Sequence, residues 1–328
     1  MDSIDKKLLN FLQESIPLTE KPFLHLAEKL GQKEGDVLER IKRLKKENII
    51  RQISAIFEAK SLGYESALIG MKIPPEILDK AGAVISENPG VSHNYARKHS
   101  YNLWFTIALP QETSLEQTIR EIGKTVKAKD ALLLPALKIF KIRVKLNMLQ
   151  NGEQNLSLEE TEGVPEKKST VPFLEKEIAL IKELQEDFPL SERPFKTLAD
   201  RACMDEKEVI AVIKSFKERG IMRRLAAVLH HREAGFLSNI MVAWKVPSEK
   251  VEACGRKMAS FKAVSHCYER KAYPRWPYNV YTMIHGRSDR ECEAVVKKIS
   301  AETGIEDYLA LKTEKEYKKA RPKYFFEL

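Results

Sequence analysis

Apolar residues recur at helical spacing in three short segments at the start of the chain. Pro17 ends the first segment and Gly31 separates the second from the third, since neither residue suits a helix interior. Three short helices, the last two joined by a tight turn, predict a helix-turn-helix unit. The apolar positions are Ile4, Leu8, Leu9 and Leu12, then Phe23, Leu26, Ala27 and Leu30, then Val37, Leu38, Ile41 and Leu44.

After residue 50 the helical period gives way to alternation, which indicates strands. Helices are predicted over residues 75–87 and after a capping box formed by Thr113 and Glu116. The order strand-helix-strand-strand-helix-strand is the ferredoxin-like βαββαβ plan. An α+β domain is therefore expected after the helix-turn-helix. Its predicted strands are 52–58, 66–73, 90–97, 101–109 and 131–146.

The second half of the chain repeats the first. ESIPLTEKPFLHLAEKL is matched by EDFPLSERPFKTLADRA, and VSHNYARKHSYNLWFT is matched by VSHCYERKAYPRWPYNVYT. His93 matches His266 at a separation of 173 residues and Tyr101 matches Tyr278 at 177, so the second hairpin carries a four-residue insertion. A period of this length predicts a tandem domain duplication, since solenoid repeats are far shorter.

The duplication also sets the predicted domain boundaries. Residues 1–50 and 172–222 are the two helix-turn-helix domains, and 51–149 and 223–313 are the two ferredoxin-like domains. Ser288 and Glu291 form the second copy's capping box. The polar stretch 150–171 is expected to be a flexible linker. Residues 314–328 are expected to form a solvated basic tail.

Composition narrows the functional classes. No apolar run is long enough to span a bilayer and MDSIDKK lacks the apolar core of a signal peptide, so a cytoplasmic protein is expected. Cys203, Cys254, Cys267 and Cys292 form no CxxC pair, which argues against a zinc site or a disulfide framework. The formal charge of +9 fits nucleic acid, an acidic small molecule or solubility alone, so charge does not choose among them.

The repeated hairpin concentrates polar and aromatic side chains on one face. Side chains two apart in a strand share a face, so His266, Tyr268 and Arg270 project to the same side. Such a wall suits a flat, apolar ligand fringed with acids. The alternative is an ordinary half-buried hairpin, since aromatics favour strands. His93, Tyr95 and Arg97 repeat the pattern, which favours a binding role.

A helix-turn-helix followed by a ferredoxin-like domain resembles the Lrp/AsnC family of transcriptional regulators. A DNA reader places the start of its second motif helix in the major groove. Carboxylates occupy that region here and would repel phosphate, which argues against DNA binding without closing the case, because acidic side chains can read cytosine. The carboxylates are Glu34, Asp36 and Glu39 in the first copy and Asp205, Glu206 and Glu208 in the second.

The hairpins themselves resemble the siroheme decarboxylase family, with the first half similar to its alpha-type subunit and the second to its beta-type subunit. The resemblance covers nearly the whole chain except the linker and the tail. It implies a fused internal pseudo-heterodimer with a tetrapyrrole pocket in its ferredoxin-like domains, open to further homo-oligomerisation. The implied reaction removes two acetate carboxyls of siroheme to give 12,18-didecarboxysiroheme in haem or haem d1 biosynthesis. The iron belongs to the substrate, and no cofactor is expected.

Decarboxylation needs an acid beside the carbon that loses carbon dioxide, and a ligand with many carboxylates needs cationic donors. His266 and His93 fit the first role, with Tyr268 and Tyr95 as alternative donors, and either His may instead ligate the substrate iron. Surface ion pairs are the alternative for the arginines. The predicted substrate-binding residues are Arg51, Arg97, His99, Arg223, Arg224, His230, His231, Arg270, Arg275, Trp276 and Tyr278.

Three questions stay open from sequence. One copy could hold the catalytic pocket while the other forms its wall, or each copy could remove one carboxyl. A pocket dominated by the second half, which alone carries Pro-Arg-Trp-Pro, is favoured. A haem or siroheme sensor would bind a tetrapyrrole without changing it. A tandem transcriptional regulator would bind duplex DNA in a salt-dependent manner.

Overall fold

A computed structural model of the chain describes residues 1–142, 172–229 and 238–326. Each half begins with the predicted trio of helices. Both trios are built from amphipathic segments whose apolar faces are buried, with a proline in the first turn of the second helix. The helices are α1 (Ser3–Glu14), α2 (Pro22–Leu30) and α3 (Glu34–Lys46), then α6 (Glu175–Gln185), α7 (Pro194–Ala202) and α8 (Glu206–Glu218).

A strand follows each trio, and the two strands pair with each other. β1 (Ile50–Phe57) and β6 (Met222–Leu229) form an antiparallel two-stranded ribbon. One apolar core runs through both helix-turn-helix units and this ribbon. The sequence analysis placed 52–58 in the first ferredoxin-like sheet. The strand lies outside that sheet because Ile53, Ala55 and Phe57 pack into the core of the helices instead.

The βαββαβ order is confirmed in each half. The first consists of β2 (Tyr64–Lys72), α4 (Leu78–Glu87), β3 (Val91–Arg97), β4 (Leu103–Pro110), α5 (Leu115–Thr125) and β5 (Asp130–Ile142). The second consists of β7 (Ser238–Trp244), α9 (Val251–Ser260), β8 (Val264–Arg270), β9 (Val280–Gly286), α10 (Asp289–Thr303) and β10 (Tyr308–Lys319). Helices cover the outer face of each sheet and bury a separate apolar core there.

The last strand of each half crosses into the other half. Residues 130–135 of β5 pair with β2, and residues 136–142 pair with β8. Likewise 308–312 of β10 pair with β7, and 313–319 pair with β3. The result is a closed barrel in the order β10-β3-β4-β2-β5-β8-β9-β7. The halves therefore form an internal pseudo-dimer through their sheets, as the sequence indicated.

Two lysines at equivalent positions fasten each crossing strand to the other half. Lys141 donates to the carbonyl oxygens of Ala259 and Phe261 at the end of α9, at 2.6 and 2.9 Å. Lys318 donates to two carbonyls at the end of α4, both at 2.8 Å. A lysine at a helix C-terminus satisfies carbonyls that lack an intrahelical partner and complements the helix dipole.

One local prediction changes. The N-cap of α5 is Ser114, which accepts from the amide of Gln117, so the helix starts one residue later than the Thr113 box implied. Ser288 caps α10 as predicted. Residues 143–171 and 230–237 lie outside the described residues, so the predicted linker remains a prediction.

The prediction of a solvated tail after residue 313 is wrong. β10 continues to Lys319, and Tyr324 beyond it is only 7% exposed. Its ring packs edge-on against Phe57 and Tyr64, at centroid distances of 6.4 and 4.9 Å. The many basic residues of this segment suggested a solvated tail. Residues 313–319 nevertheless form a strand, because they pair with β3.

No helix among the described residues combines the length and apolarity needed to cross a bilayer. All four cysteines are free thiols.

The contact between α9 and the crossing strand β5 gives a test of the closure. A Cβ added to Gly255 would lie 2.4 Å from the Phe140 ring. We therefore expect Gly255→Ala to lower the free energy of unfolding by about 1–3 kcal/mol, although alanine favours helices. In Gly123→Ala, on α5, the new methyl would meet its nearest neighbour at 3.8 Å, so that variant should be neutral or slightly stabilising. Urea denaturation of both variants makes the comparison, and equal stabilities would contradict close packing across the halves.

Candidate functional site

The two His-x-Tyr-x-Arg motifs face the inside of the barrel. On β3, Asn94 points outward and donates to the carbonyl of Gly82 on α4 at 2.9 Å. On β8, Cys267 points outward toward the carbonyl of Gly255 on α9. Since side chains alternate along a strand, the residues on either side of these two point inward. Six of the predicted residues are thereby brought into one interior, namely His93, Tyr95, Arg97, His266, Tyr268 and Arg270.

His93 faces the inside of the barrel, and its side chain keeps solvent-accessible surface although protein atoms surround it on most sides. The space that the six inward-facing side chains border is called the cavity below. Burial lowers the pKa of His93 to about 3, and the positive charges of His266, Lys319, Arg51 and Arg97 act in the same direction. Its Nδ1 lies 3.0 Å from the hydroxyl of Ser92. At neutral pH this imidazole is therefore uncharged and keeps a lone pair.

The tyrosines stand between a histidine and an arginine in both copies. The rings of His93 and Tyr95 are 6.2 Å apart, and the Arg97 guanidinium lies 5.2 Å from the Tyr95 ring centre. In the second copy, Tyr268 lies 6.1 Å from the His266 ring and 4.8 Å from the Arg270 guanidinium. Burial raises the pKa of both phenols, so they remain neutral donors.

Arg97 and Arg270 are cations held inside the barrel without a carboxylate partner among the described residues. Arg97 is 2% exposed and donates to the carbonyl of Leu311 at 2.7 Å, while Arg270 donates to that of Leu134 at 2.7 Å. Each carbonyl belongs to the crossing strand of the other half. Within the described chain the Nε–H of both arginines lacks an acceptor. Burial lowers the pKa of Arg97 to about 10 and also lowers the pKa of Arg270.

More arginines border the same end of the barrel. The charge of Arg51, on β1, reaches both His93 and Tyr95. Arg321, beyond β10, donates to the carbonyl of Ala55 at 3.1 Å. Burial and the positive charges of Arg224 and Arg51 lower the pKa of Arg321 to about 10. Like-charged groups that are close together and partly buried repel one another, so binding of an anion among them is strongly favoured.

Arg223 differs from its neighbours because it is already paired. Its Nε donates to Glu58 across the ribbon at 2.9 Å, and its Nη2 reaches the same oxygen. Because Glu58 neutralises much of the charge of Arg223, this arginine attracts an anionic ligand less strongly than Arg51 or Arg321 does. The structure favours the ion-pair alternative for Arg223.

Sequence reasoning missed two groups of the cavity. Arg321 has no arginine at the matching first-half position, where Val144 stands, so the repeat gave no signal for it. Ile139 lies opposite Tyr268 in the β5–β8 pair and is 44% exposed, while Glu316 lies opposite Tyr95 in the equivalent β10–β3 pair. Cross-strand partners share a face. One wall of the cavity is therefore aliphatic and the equivalent wall is acidic.

The remaining predicted residues lie at the other end of the barrel. Trp276 is 2% exposed and donates to the Tyr281 hydroxyl at 2.6 Å within an aromatic cluster that fills the interior. Arg275 pairs with Asp130 at 3.2 Å. His99 and Tyr278 pack against Trp276. Arg270 lies on the part of β8 nearest this end, and His266 lies four residues, or about 13 Å, further along the strand. The structure does not bring these side chains to the histidines, and His230 and His231 lie outside the described residues.

Family models match both halves of the chain. The AsnC-like ligand binding domain matches residues 61–141 and 233–318. The siroheme decarboxylase NirDL-like helix-turn-helix domain matches residues 5–51 and 177–223.

Similar proteins cover the chain from end to end. A siroheme decarboxylase of Hydrogenobacter thermophilus is 40% identical over 98% of this chain and 95% of its own. The crystal structure of siroheme decarboxylase NirDL in co-complex with an iron-uroporphyrin III analogue has a TM-score of 0.78 at 34% identity, covering 99% of this chain and 95% of the other. The separate alpha subunit from Desulfovibrio desulfuricans is 39% identical over 45% of this chain and 85% of its own length. The beta subunit from the same organism is 40% identical over 47% of this chain and 97% of its own length. The fused arrangement inferred from sequence is confirmed.

The depressed pKa of His93 predicts a pH dependence of the ligand-free protein. A histidine that protonates at about pH 3 when folded, but near 6.5 when unfolded, favours unfolding as the pH falls below 6.5. His93→Gln removes this contribution, so it should lose less stability than the native protein between pH 7 and pH 5. His25→Gln, on α2 outside the cavity, is the matched control and should follow the native protein. Urea midpoints at both pH values measure this, and parallel losses in all three proteins would contradict it.

Proposed function

The chain belongs to the siroheme decarboxylase family, and we propose that it removes two acetate carboxyls of siroheme to give 12,18-didecarboxysiroheme and carbon dioxide. The observation that carries the proposal is the pair of inward-facing arginines, Arg97 and Arg270, that have no carboxylate partner in the described chain. They stand beside two histidines and two tyrosines in one barrel. A flat macrocycle ringed with carboxylates complements this interior in shape and charge.

Recognition of the substrate falls to the arginines. Arg97 and Arg270 hold one guanidinium edge on backbone carbonyls and leave Nε without an acceptor. Arg51, Arg224 and Arg321 add positive charge at the mouth. A guanidinium binds a carboxylate through two parallel hydrogen bonds, which fixes orientation as well as affinity. Several such contacts around one ring would hold it in a single plane.

Loss of carbon dioxide breaks the bond between the acetate methylene and its carboxyl carbon. The electron pair stays on the methylene beside the macrocycle and takes up one proton, so each acetate becomes a methyl group. An ionised carboxylate is less stable against an aliphatic wall than in water. Ile139, opposite Tyr268, provides such a wall, whereas Glu316 stands at the equivalent place beside Tyr95. This difference supports cleavage on the side of the second half.

The two histidines are proposed to have different roles. His93 is neutral, because burial and surrounding cations depress its pKa, so it suits the iron of the substrate as a ligand and is a poor acid. His266 stands on the aliphatic side of the cavity and is proposed as the proton donor to the methylene, with Tyr268 as its neighbouring neutral phenol. The second half then supplies the proton donor and the first half the ligand to the substrate iron, while arginines of both halves bind the carboxylates.

Anaerobic incubation of the purified chain with siroheme tests the function directly. Mass spectrometry of the products should show two successive losses of carbon dioxide. A shifted Soret band with an intact ligand would instead indicate a sensor. Absence of binding, together with salt-dependent binding of duplex DNA, would point to a regulator.

The role of the buried cations gives a second prediction. Arg97→Met should weaken siroheme binding about 10- to 100-fold, since a hydrogen bond to a charged group contributes roughly 1.5–3 kcal/mol. Arg275→Met, which removes an arginine paired with Asp130 at the far end, is the matched control and should change the Kd less than about twofold, as expected for a surface ion pair. Titration of both variants with siroheme, followed by the Soret band, measures the two Kd values. Equal Kd values would contradict the proposed role of Arg97 in binding.

A further inference from the structure

The second copy of the motif contains a hydrogen-bonded chain that the first copy lacks. The Ser265 hydroxyl lies 2.8 Å from Nδ1 of His266 and 2.8 Å from Nε2 of His285. In the first copy, Ser92 lies 3.0 Å from Nδ1 of His93, but Ala108 occupies the position that matches His285. One serine therefore orients a histidine in the first half and connects two histidines in the second.

The backbone holds this chain in place. Ser265 also lies 3.3 Å from the carbonyl of Met283, two residues before His285 on β9. The amide of His285 donates to the carbonyl of Ala263 at 3.0 Å, which fixes the end of β9 against β8. His285 is half-buried, so part of its ring is accessible to water. These contacts form a short path from solvent to His266.

We propose that His285 and Ser265 form a proton relay that resupplies His266 during decarboxylation. The inference rests on the proposed function, which consumes one proton for every carboxyl removed. His285 and Ser265 are positioning residues, because the contacts of Ser265 to both rings make them act through His266.

The step balances in protons and electrons. The bond to the carboxyl carbon breaks, carbon dioxide leaves, and the electron pair on the methylene takes the proton from Nε2 of His266. The Ser265 proton moves to Nδ1 of His266, and the proton on Nε2 of a charged His285 moves to Ser265. The net change is one proton lost from His285, which water restores. No oxidant or reductant takes part.

The divergence of the two copies supports the direction of this relay. A second histidine accompanies the half whose cavity wall is aliphatic, where a carboxylate would be destabilised. The half with the acidic wall and the depressed His93 pKa has alanine instead. Proton supply and carboxylate destabilisation thus occur on the same side of the barrel.

Single-turnover decarboxylation of siroheme by the full chain tests the relay, with His285→Ala as the main variant. Siroheme affinity should match the native protein, while at least one of the two losses of carbon dioxide should slow roughly tenfold or more, since a positioned proton donor contributes on the order of 10²–10⁴. Added imidazole should restore much of the rate by replacing the missing ring, an effect that a purely structural role for His285 would not produce.

Variants of the two serines provide the matched comparison. Ser265→Ala should slow the reaction in the same way, and Ser265→Thr, which keeps a hydroxyl, should recover it. Ser92→Ala removes the equivalent contact to His93 but leaves the Ser265–His285 relay intact. Added imidazole should therefore not change the decarboxylation rate of this variant. His266→Ala sets the lower limit of the rate.

The outcomes separate the two proposals. Native rates of both losses in His285→Ala, or a slowed rate that imidazole does not raise, would overturn the relay and leave the decarboxylase assignment standing. No loss of carbon dioxide from siroheme with the native chain would overturn both.

Discussion

Exchange of the crossing strands β5 and β10 is the constraint on which the rest of the structure depends. Each strand starts in the sheet of its own half and ends in the sheet of the other, so neither sheet has a free edge where they meet. Lys141 and Lys318 fasten the exchanged ends to helices of the opposite half. Closure turns two inner sheet faces into a single interior, and the motifs of β3 and β8 face each other only for that reason.

The same exchange explains how two arginines can be buried with no carboxylate partner in the described part of the chain. The carbonyls that accept from Arg97 and Arg270 belong to the crossing strands, so each half orients the other's cation through its backbone. Backbone carbonyls satisfy part of the guanidinium but do not neutralise it. The free protein thus keeps positive charge in a low-dielectric interior, and the negative charge it needs has to arrive with the ligand. The burial that lowers the pKa of both arginines also strengthens their attraction for the carboxylates of a polyanionic macrocycle.

Duplication gave the barrel its symmetry, and divergence between the copies made the two sides chemically different. Ile139 stands where the other copy has Glu316, His285 where it has Ala108, and Arg321 where it has Val144. The Pro-Arg-Trp-Pro insertion places Trp276 in the aromatic cluster that fills the far end, which confines the cavity to the histidine end. An asymmetric substrate held in an asymmetric barrel can present a chosen acetate to one acid.

The sequence by itself determined the repeat, the helix-turn-helix and βαββαβ plans, the family resemblance and the shared strand face of each His-x-Tyr-x-Arg motif, because these depend on periodicity and short spacings along the chain. Tertiary structure decided which elements meet. β1 and β6 form a separate ribbon outside the predicted sheets, residues 314–319 of the predicted tail belong to strand β10, and Arg275 and Trp276 lie far from the histidines. These differences follow from pairing between residues that are distant in sequence. Arg321 and Ile139 gained their places in the same way: nothing near them in sequence indicates a site, and only closure of the barrel brings them to it. His285 lies on the repeated hairpin itself, and the pairing of β8 with β9 brings it to Ser265.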